Sequence, residues 1–258
     1  MMLGTVTKAG KVLDLFTASS PEWGVREVAD RLQIPKSSAH ALLATLSGIG
    51  LVRRLAEGRY RLGWRIVELN RTLIDSTDLL TAARPQLGYL ADQLRATVQV
   101  AALREDAVIV LDKVVGAGIA DFSASAVGRA APIHCSALGK VLLAHLDVCR
   151  VDTIVERHGL ERRTARTITS SSRFRAELEA VRLRGCGYDI EESTGRQCCV
   201  AAPVRDADGD VYAAISITLP LHPFRRNPEM VCRAVQRAAA GVSRISCPVE
   251  QRHIDGSS

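Results

Sequence analysis

Several features are missing from this chain, and each absence excludes something. No run of about 18 or more apolar residues occurs in its 258 residues, so no membrane-spanning helix is expected. The stretch MMLGTVTKAGKVLDLF has no long apolar core of the kind a signal peptide carries, and a cytoplasmic location is expected. Cysteine occurs seven times, an odd number at irregular spacing, which favours free thiols over a disulfide framework. No CxxC pair exists to build a zinc ribbon. Neither a phosphate-binding glycine loop nor a cluster with metal-ligand spacing appears, so no cofactor and no metal are expected. Internal repeats and low-complexity segments are absent too.

What is present suits a folded chain of about two domains, with 47% hydrophobic residues and a net charge of +6. The charge is uneven. Residues 1–75 hold 11 Lys+Arg against 7 Asp+Glu, whereas residues 76–258 hold 23 against 21. The smaller first part is the more basic, as a DNA-binding module would be.

The most informative stretch runs from Gly24 to Gly63. Val25, Val28, Ala29 and Leu32 recur with the spacing of one helix face. Gln33, Ile34 and Pro35 break that helix. Ser37 or Ser38 is expected to cap the next, in which Ala39, Leu42, Leu43 and Leu46 form the buried stripe. Its outer face keeps Lys36, Ser37, Ser38, His40, Ala41, Ala44 and Thr45. Two short amphipathic helices joined by a tight turn make a helix-turn-helix, whose second helix can enter the major groove. Residues 51–54 and 59–62 then read as two strands about a turn at Glu57 and Gly58, a small wing. From Leu51 to Arg65 there are five arginines and one acid. Lys36, Ser37, Ser38 and His40 are the candidates for base readout. Arg53, Arg54, Arg59 and Arg61 are the candidates for gripping phosphates.

In the rest of the chain, helices are expected over residues 7–18, 82–94, 136–145, 172–184 and 228–245, with Trp23 closing the small N-terminal core. Trp64, Ile66, Val67, Leu69 and Leu73 mark a linker helix. Strands are expected at 98–103, 107–111, 119–123, 188–191, 198–204 and 211–219. The fold class is α+β. The expected organisation is a DNA-binding domain over 1–63, a linker helix over 64–81, a sheet domain over 82–247 and a flexible tail over 248–258.

Five segments together resemble the IclR (isocitrate-lyase-regulator) family of bacterial transcription factors. They are IPKSSAHALLATL, GRYRLG, GRAAPIHCSALGKVLLA, RTIT, and YDIEES with CCVAAPVRDADGDVYAAISIT. The resemblance covers about residues 7–246. It implies an N-terminal all-α winged helix-turn-helix domain, a linker helix, and a C-terminal GAF-like α/β effector domain. It also implies homodimers, or dimers of dimers, on a double-stranded DNA operator. Family members often carry Arg just after the position of His40, where this chain has Ala41.

A second site is expected in the C-terminal domain. In VYAAISITLP, Tyr212, Ala214, Ser216 and Thr218 share one strand face, and inward hydroxyls there suggest a polar cavity. Ser136 opens a helix whose N–H groups and dipole favour a carboxylate, and the short residues Ser136, Ala137 and Gly139 would let a ligand approach that backbone. The resemblance assigns the effector pocket to Ser136, Ala137, Leu138, Asp189, Cys199, Ser216 and Thr218. Counting from Pro203 and Ser216 selects Cys199 over Cys198. A small carboxylate effector is expected, against an apolar wall of Val98, Val100 and Leu111, with Asp189 disfavouring a bare dicarboxylate. Two alternatives stand beside this reading. His134, Cys135 and Asp189 could be imagined as a catalytic group, but adjacent residues generally point apart, and no enzyme is expected. Cys135, Cys198 and Cys199 could form a redox- or metal-responsive centre with His134, if a thiolate were stabilised there.

Overall fold

The computed structural model describes residues 3–246 apart from Phe122 and Ala124; the tail expected over 248–258 lies outside the described residues. The chain forms two compact units, Met1–Ser76 and Thr77–Ser258.

The first unit contains α1 (Gly4–Asp14), β1 (Trp23–Gly24), α2 (Val25–Leu32), α3 (Lys36–Gly48), β2 (Val52–Arg54), β3 (Arg59–Leu62) and α4 (Arg65–Asp75). The first helix thus begins and ends a turn earlier than its apolar pattern suggests. Its core joins Val12 and Phe16 to Val28 and Ala29 of α2, to Ala39, Leu42, Leu43 and Leu46 of α3, and to Val52 and Tyr60 of the wing. Each buried leucine contributes roughly 1.5–3 kcal/mol. Trp23 is half-buried and donates its Nε1–H to the Leu15 carbonyl at 2.9 Å. Gln33 takes a left-handed conformation (φ 52°) that ends α2.

The cap of α3 differs from expectation. Pro35, not Ser37 or Ser38, occupies the N-cap, and no side chain caps the helix. Proline fixes φ near the value a helix entry needs, so the helix begins two to three residues earlier and both serines fall inside its first turn. In the wing, β1, β3 and β2 form a three-stranded antiparallel sheet, with Arg53 opposite Arg61 and Arg54 opposite Tyr60.

The second unit begins with α5 (Asp78–Leu94), β4 (Thr97–Arg104), β5 (Ala107–Val115), β6 (Ala130–Ala131) and α6 (Ala137–Ala144). It continues with α7 (Val148–His158), α8 (Ser171–Arg184), β7 (Gly187–Ile190), β8 (Gln197–Arg205), β9 (Val211–Pro220), α9 (Leu221–Arg226) and α10 (Pro228–Ser246). α5 starts four residues before its expected position, and α7 and α9 were not anticipated. The strand expected at 119–123 does not form among its described residues; the short β6 pairs with β5 instead. Six antiparallel strands lie in the order β6-β5-β4-β9-β8-β7. Helices α5 and α10 pack on one face. Helix α6, backed by α8, packs on the other.

Register decides which side chains meet. Thr97, Thr218, Cys199 and Asp189 are successive cross-strand partners on β4, β9, β8 and β7. Gln99, Ser216, Ala201 and Gly187 form the adjacent row. Both rows face α6, because strand side chains alternate with period two.

Candidate DNA-binding surface and effector cavity

On the first unit, Lys36, Ser37 and His40 are exposed at the start of α3, and Ser38 is half-buried. With no side-chain cap on α3, its first-turn N–H groups are open to an anion such as a backbone phosphate. Arg53, Arg54 and Arg61 are exposed on the wing. Arg53 lies 5.8 Å from the centre of the Trp64 ring, and Arg61 meets Glu22 only at 3.8 Å. Like charges directly across a strand pair repel, so the Arg53–Arg61 pair favours a counter-anion.

Arg59 does not belong with them. Its guanidinium donates to both carboxylate oxygens of Glu27, at 3.2 and 3.0 Å, and to the Glu22 carbonyl at 2.9 Å. Glu27 also accepts the Gly24 N–H at 2.7 Å. That backbone bond, followed by the Arg59 contact, holds the Glu27 carboxyl below its ordinary range. Arg59 therefore ties the wing to α2. The sequence reading counted charges and could not see which were neutralised.

In the second unit, Ser136, Ala137, Leu138, Asp189, Cys199 and Ser216 line one cavity of about 430 Å³. Thr218 does not line it. It sits buried in the same row as Cys199, between that residue and Thr97, its hydroxyl 3.2 Å from Cys199 Sγ. Cys199 faces the cavity while Cys198, one residue away, points to the opposite side of the sheet. The expected apolar wall is not there: Val98 and Val100 pair with Ile217 and Ile215, away from the cavity, and Leu111, left out of the pairing at a β-bulge, does not line it. A shift of one residue moves a strand's whole set of side chains across the sheet. The apolar lining comes instead from Ala131, Pro132, Ile133 and Leu138.

At the start of α6, Ser136 Oγ accepts the Gly139 N–H at 3.0 Å and donates to the Pro132 carbonyl. Its hydroxyl is committed to capping. Gly139 does not admit a ligand either, since a Cβ there would lie 1.9 Å from the Ile133 carbonyl oxygen. Glycine is required for the chain's own backbone to pass. The N–H groups of Ala137 and Leu138 precede the intrahelical ladder, and both residues line the cavity.

Asp189 is almost fully buried. It accepts the N–H groups of Glu192 and Ser193 at 2.8 and 3.2 Å, and the Ser193 hydroxyl. Burial raises its pKa, against the lowering effect of these bonds. It is therefore not the free acidic wall that the sequence suggested. The loop beyond it is clamped by the RTIT segment and the turn before it: Thr167 Oγ1 donates to the Glu192 carbonyl and Thr164 Oγ1 to the Glu191 carbonyl, both at 2.7 Å. Beneath the loop, fully buried Lys140 pairs with Glu192 and donates to the Tyr188 carbonyl at 2.9 Å.

Sequence reasoning missed Lys140, Gln99, Arg129 and Arg163, and named His134 only in the catalytic and redox alternatives. Gln99 carried a usable signal, a lone amide in an apolar strand with the parity of the inward hydroxyls. Its amide reaches the Ser125 carbonyl at 3.4 Å, and its carbonyl accepts from Ser123 Oγ at 3.2 Å. His134 bonds to the Glu161 carbonyl at 3.0 Å, and burial lowers its pKa. It does not pair with Cys135. Burial pushes the Cys135 thiol up to about 12 and Cys198 up to about 11, and raises Cys199 further, so none is a stabilised thiolate. Among the described residues, no group of three or more His, Cys, Asp or Glu could hold a metal ion.

Comparison with known proteins agrees with this architecture. The family model described as "Bacterial transcriptional regulator IclR C-terminal" matches residues 71–244, and the IclR helix-turn-helix domain matches residues 5–56. The HTH-type transcriptional regulator KdgR of Escherichia coli is 34% identical over 223 residues, covering 85% of this chain and 84% of KdgR. An IclR transcriptional regulator from Alicyclobacillus acidocaldarius superimposes with a TM-score of 0.85 at 26% identity, covering 95% of this chain and 100% of that one. An IclR homolog from Microbacterium hydrocarbonoxydans, complexed with 4-hydroxybenzoate, has a TM-score of 0.82 at 24% identity, over 94% of this chain and 98% of that one. The fold and site thus define a winged helix-turn-helix protein with a cavity-bearing sensor unit. This chain belongs to the IclR family: it is a DNA-binding transcriptional regulator with an effector-binding C-terminal domain, and not an enzyme.

Proposed function

We propose that this regulator binds its operator through α3 and the wing, and that a small organic acid in the C-terminal cavity modulates that binding. In this reading Lys36, Ser37, Ser38 and His40 reach base edges, Arg53, Arg54 and Arg61 grip phosphates, and Arg59 keeps the wing in position. The observation that carries the effector reading is the cavity of about 430 Å³, with the first turn of α6 on its wall. A carboxylate accepting the Ala137 and Leu138 N–H groups also gains from the helix dipole. Ser216, Gln99 and Ser193 supply hydrogen bonds for a polar substituent, and Ile133 and Leu138 an apolar surface. The 4-hydroxybenzoate bound by the Microbacterium homolog is an acid of this general kind.

A homodimer fits the same reading. Helix α4 buries none of its residues within the chain, and Trp64, Val67 and Leu69 beside and along it are exposed. Two copies related by a two-fold axis would present paired recognition helices to a palindromic operator. An effector alters DNA binding only if it binds one arrangement of the two DNA-binding units better than another.

The test is fluorescence anisotropy on the protein's own upstream intergenic region, at two salt concentrations, with and without a panel of small carboxylates. Salt-sensitive, sequence-selective binding that one carboxylate changes is the expected result. Selective binding that no carboxylate changes would remove the organic-acid effector and leave the DNA-binding regulator.

A further inference from the structure

We propose that the effector is a dicarboxylic acid, its second carboxylate held by Arg129 and Arg163. The inference rests on the organic-acid reading above and narrows it.

It follows from a census of charge around the cavity. Three acids line it: Asp106, Glu161 and Asp189. Asp106 is already neutralised by Arg150 and Arg157, neither of which lines the cavity. Asp189 is enclosed by the Glu192 and Ser193 N–H groups and the Ser193 hydroxyl. Glu161 is exposed, and its backbone carbonyl holds His134. The two lining arginines are in the opposite condition. Neither Arg129 nor Arg163 makes an ion pair or a side-chain hydrogen bond with any described residue, whereas Arg150, Arg157, Arg166 and Arg175 nearby in the chain are all paired.

Both arginines rise from fixed backbone. The Arg129 N–H donates to the Ala126 carbonyl at 3.0 Å, and its own carbonyl accepts the Val110 N–H at 3.1 Å. The Arg163 N–H donates to Thr167 Oγ1 at 3.1 Å, and Thr167 is anchored to the Glu192 carbonyl. Arg163 is also close enough for its charge to bear on His134 and Cys135. Guanidinium groups match carboxylates as planar, paired donors, and fixed stems reduce the ordering cost of binding. The cavity therefore offers two separate anion loci, the α6 first turn and the arginine pair, and its free cations outnumber its free acids. A monocarboxylate would satisfy one locus only.

The experiment is titration calorimetry on the full chain with matched acids: butyrate and succinate, hexanoate and adipate, 4-methylbenzoate and terephthalate. At low salt, at least one dicarboxylate is expected to bind about tenfold more tightly than its partner, the scale of one added charge-assisted contact. Arg129→Gln and Arg163→Gln should each bring that ratio toward one while leaving monocarboxylate affinity within about twofold, and raised salt should do the same. Both side chains are exposed, so both variants should fold, which circular dichroism checks. Equal affinity within every pair, or a preference that survives both substitutions, overturns the inference and leaves the organic-acid reading standing. Failure of every acid in the panel to bind overturns both.

Discussion

The two units handle charge in opposite ways. In the first, Lys36, His40, Arg53, Arg54 and Arg61 stand on the surface with little to neutralise them. In the second, Lys140, Asp189 and Glu192 are buried and held by specific partners, while Arg129 and Arg163 at the cavity make no ion pair with any described residue. Surface cations on this pattern suit a polyanion that brings its own counter-charge, and they should answer to salt. Buried groups are shielded from salt but expensive to leave unpaired, so they should answer to substitution and pH.

The largest expected effect is in the second unit. Lys140→Ala leaves Glu192 buried without its cation and should cost about 3–5 kcal/mol. Differential scanning calorimetry should find the C-terminal transition lowered and the N-terminal one unchanged. A uniform shift of both would break the contrast. Next comes the DNA surface. Arg54→Gln should lower the slope of log affinity against log salt by about 1 with no loss of fold, whereas Arg59→Gln should leave that slope nearly unchanged and destabilise the first unit instead. Equal slopes for the two variants would show that Arg59 is not occupied as described.

A pH effect follows from His134. Burial lowers its pKa from the ordinary 6.5, so the fold prefers neutral imidazole. Its stabilising contribution is complete above about 6.5. It is lost as pH falls below that value, because the unfolded chain takes up the proton first. Urea titrations between pH 7 and 5 should detect the decline, and His134→Gln should reduce it, leaving the share of His145, whose pKa burial also lowers. The smallest effect belongs to Glu27. Its lowered pKa means stability present above 4.5 and lost as pH falls through the folded value. This carboxylate is exposed, so Glu27→Gln should cost under about 1 kcal/mol in the first unit.

How much was legible varied with the range of the interaction. The stripe Ala39, Leu42, Leu43 and Leu46 is a local repeat, and all four residues are buried as their spacing requires. The faces of β9 were equally readable. The cap of α3 was not, because serine at either of two positions competes with a proline that fixes the entry by covalent geometry. The apolar wall was misread because Val98 and Val100 have the composition of a lining but the wrong parity. Helix α7 went unread, though its apolar positions Val151, Ile154 and Val155 are sparse among charges and sufficient once α6 offers a surface. Among the expected pocket residues, Thr218 has the inward parity and pairs with Cys199 but does not line the cavity, because the extent of the cavity along a row is set by tertiary packing that no sequence spacing encodes.

The sequence by itself determined what depends on near neighbours: the helix-turn-helix, the wing, the strand alternation and the surplus of positive charge in the first unit. These follow from helical and strand periods and from charges that need no partner to be counted. Only the tertiary structure decided which charges stay free. Arg59 meets Glu27 across 32 residues and Lys140 meets Glu192 across 52, so their neutralisation is a consequence of folding. Arg129 and Arg163 show the reciprocal case, in which the fold brings both to one cavity and, among the described residues, brings no ion-pairing acid to either.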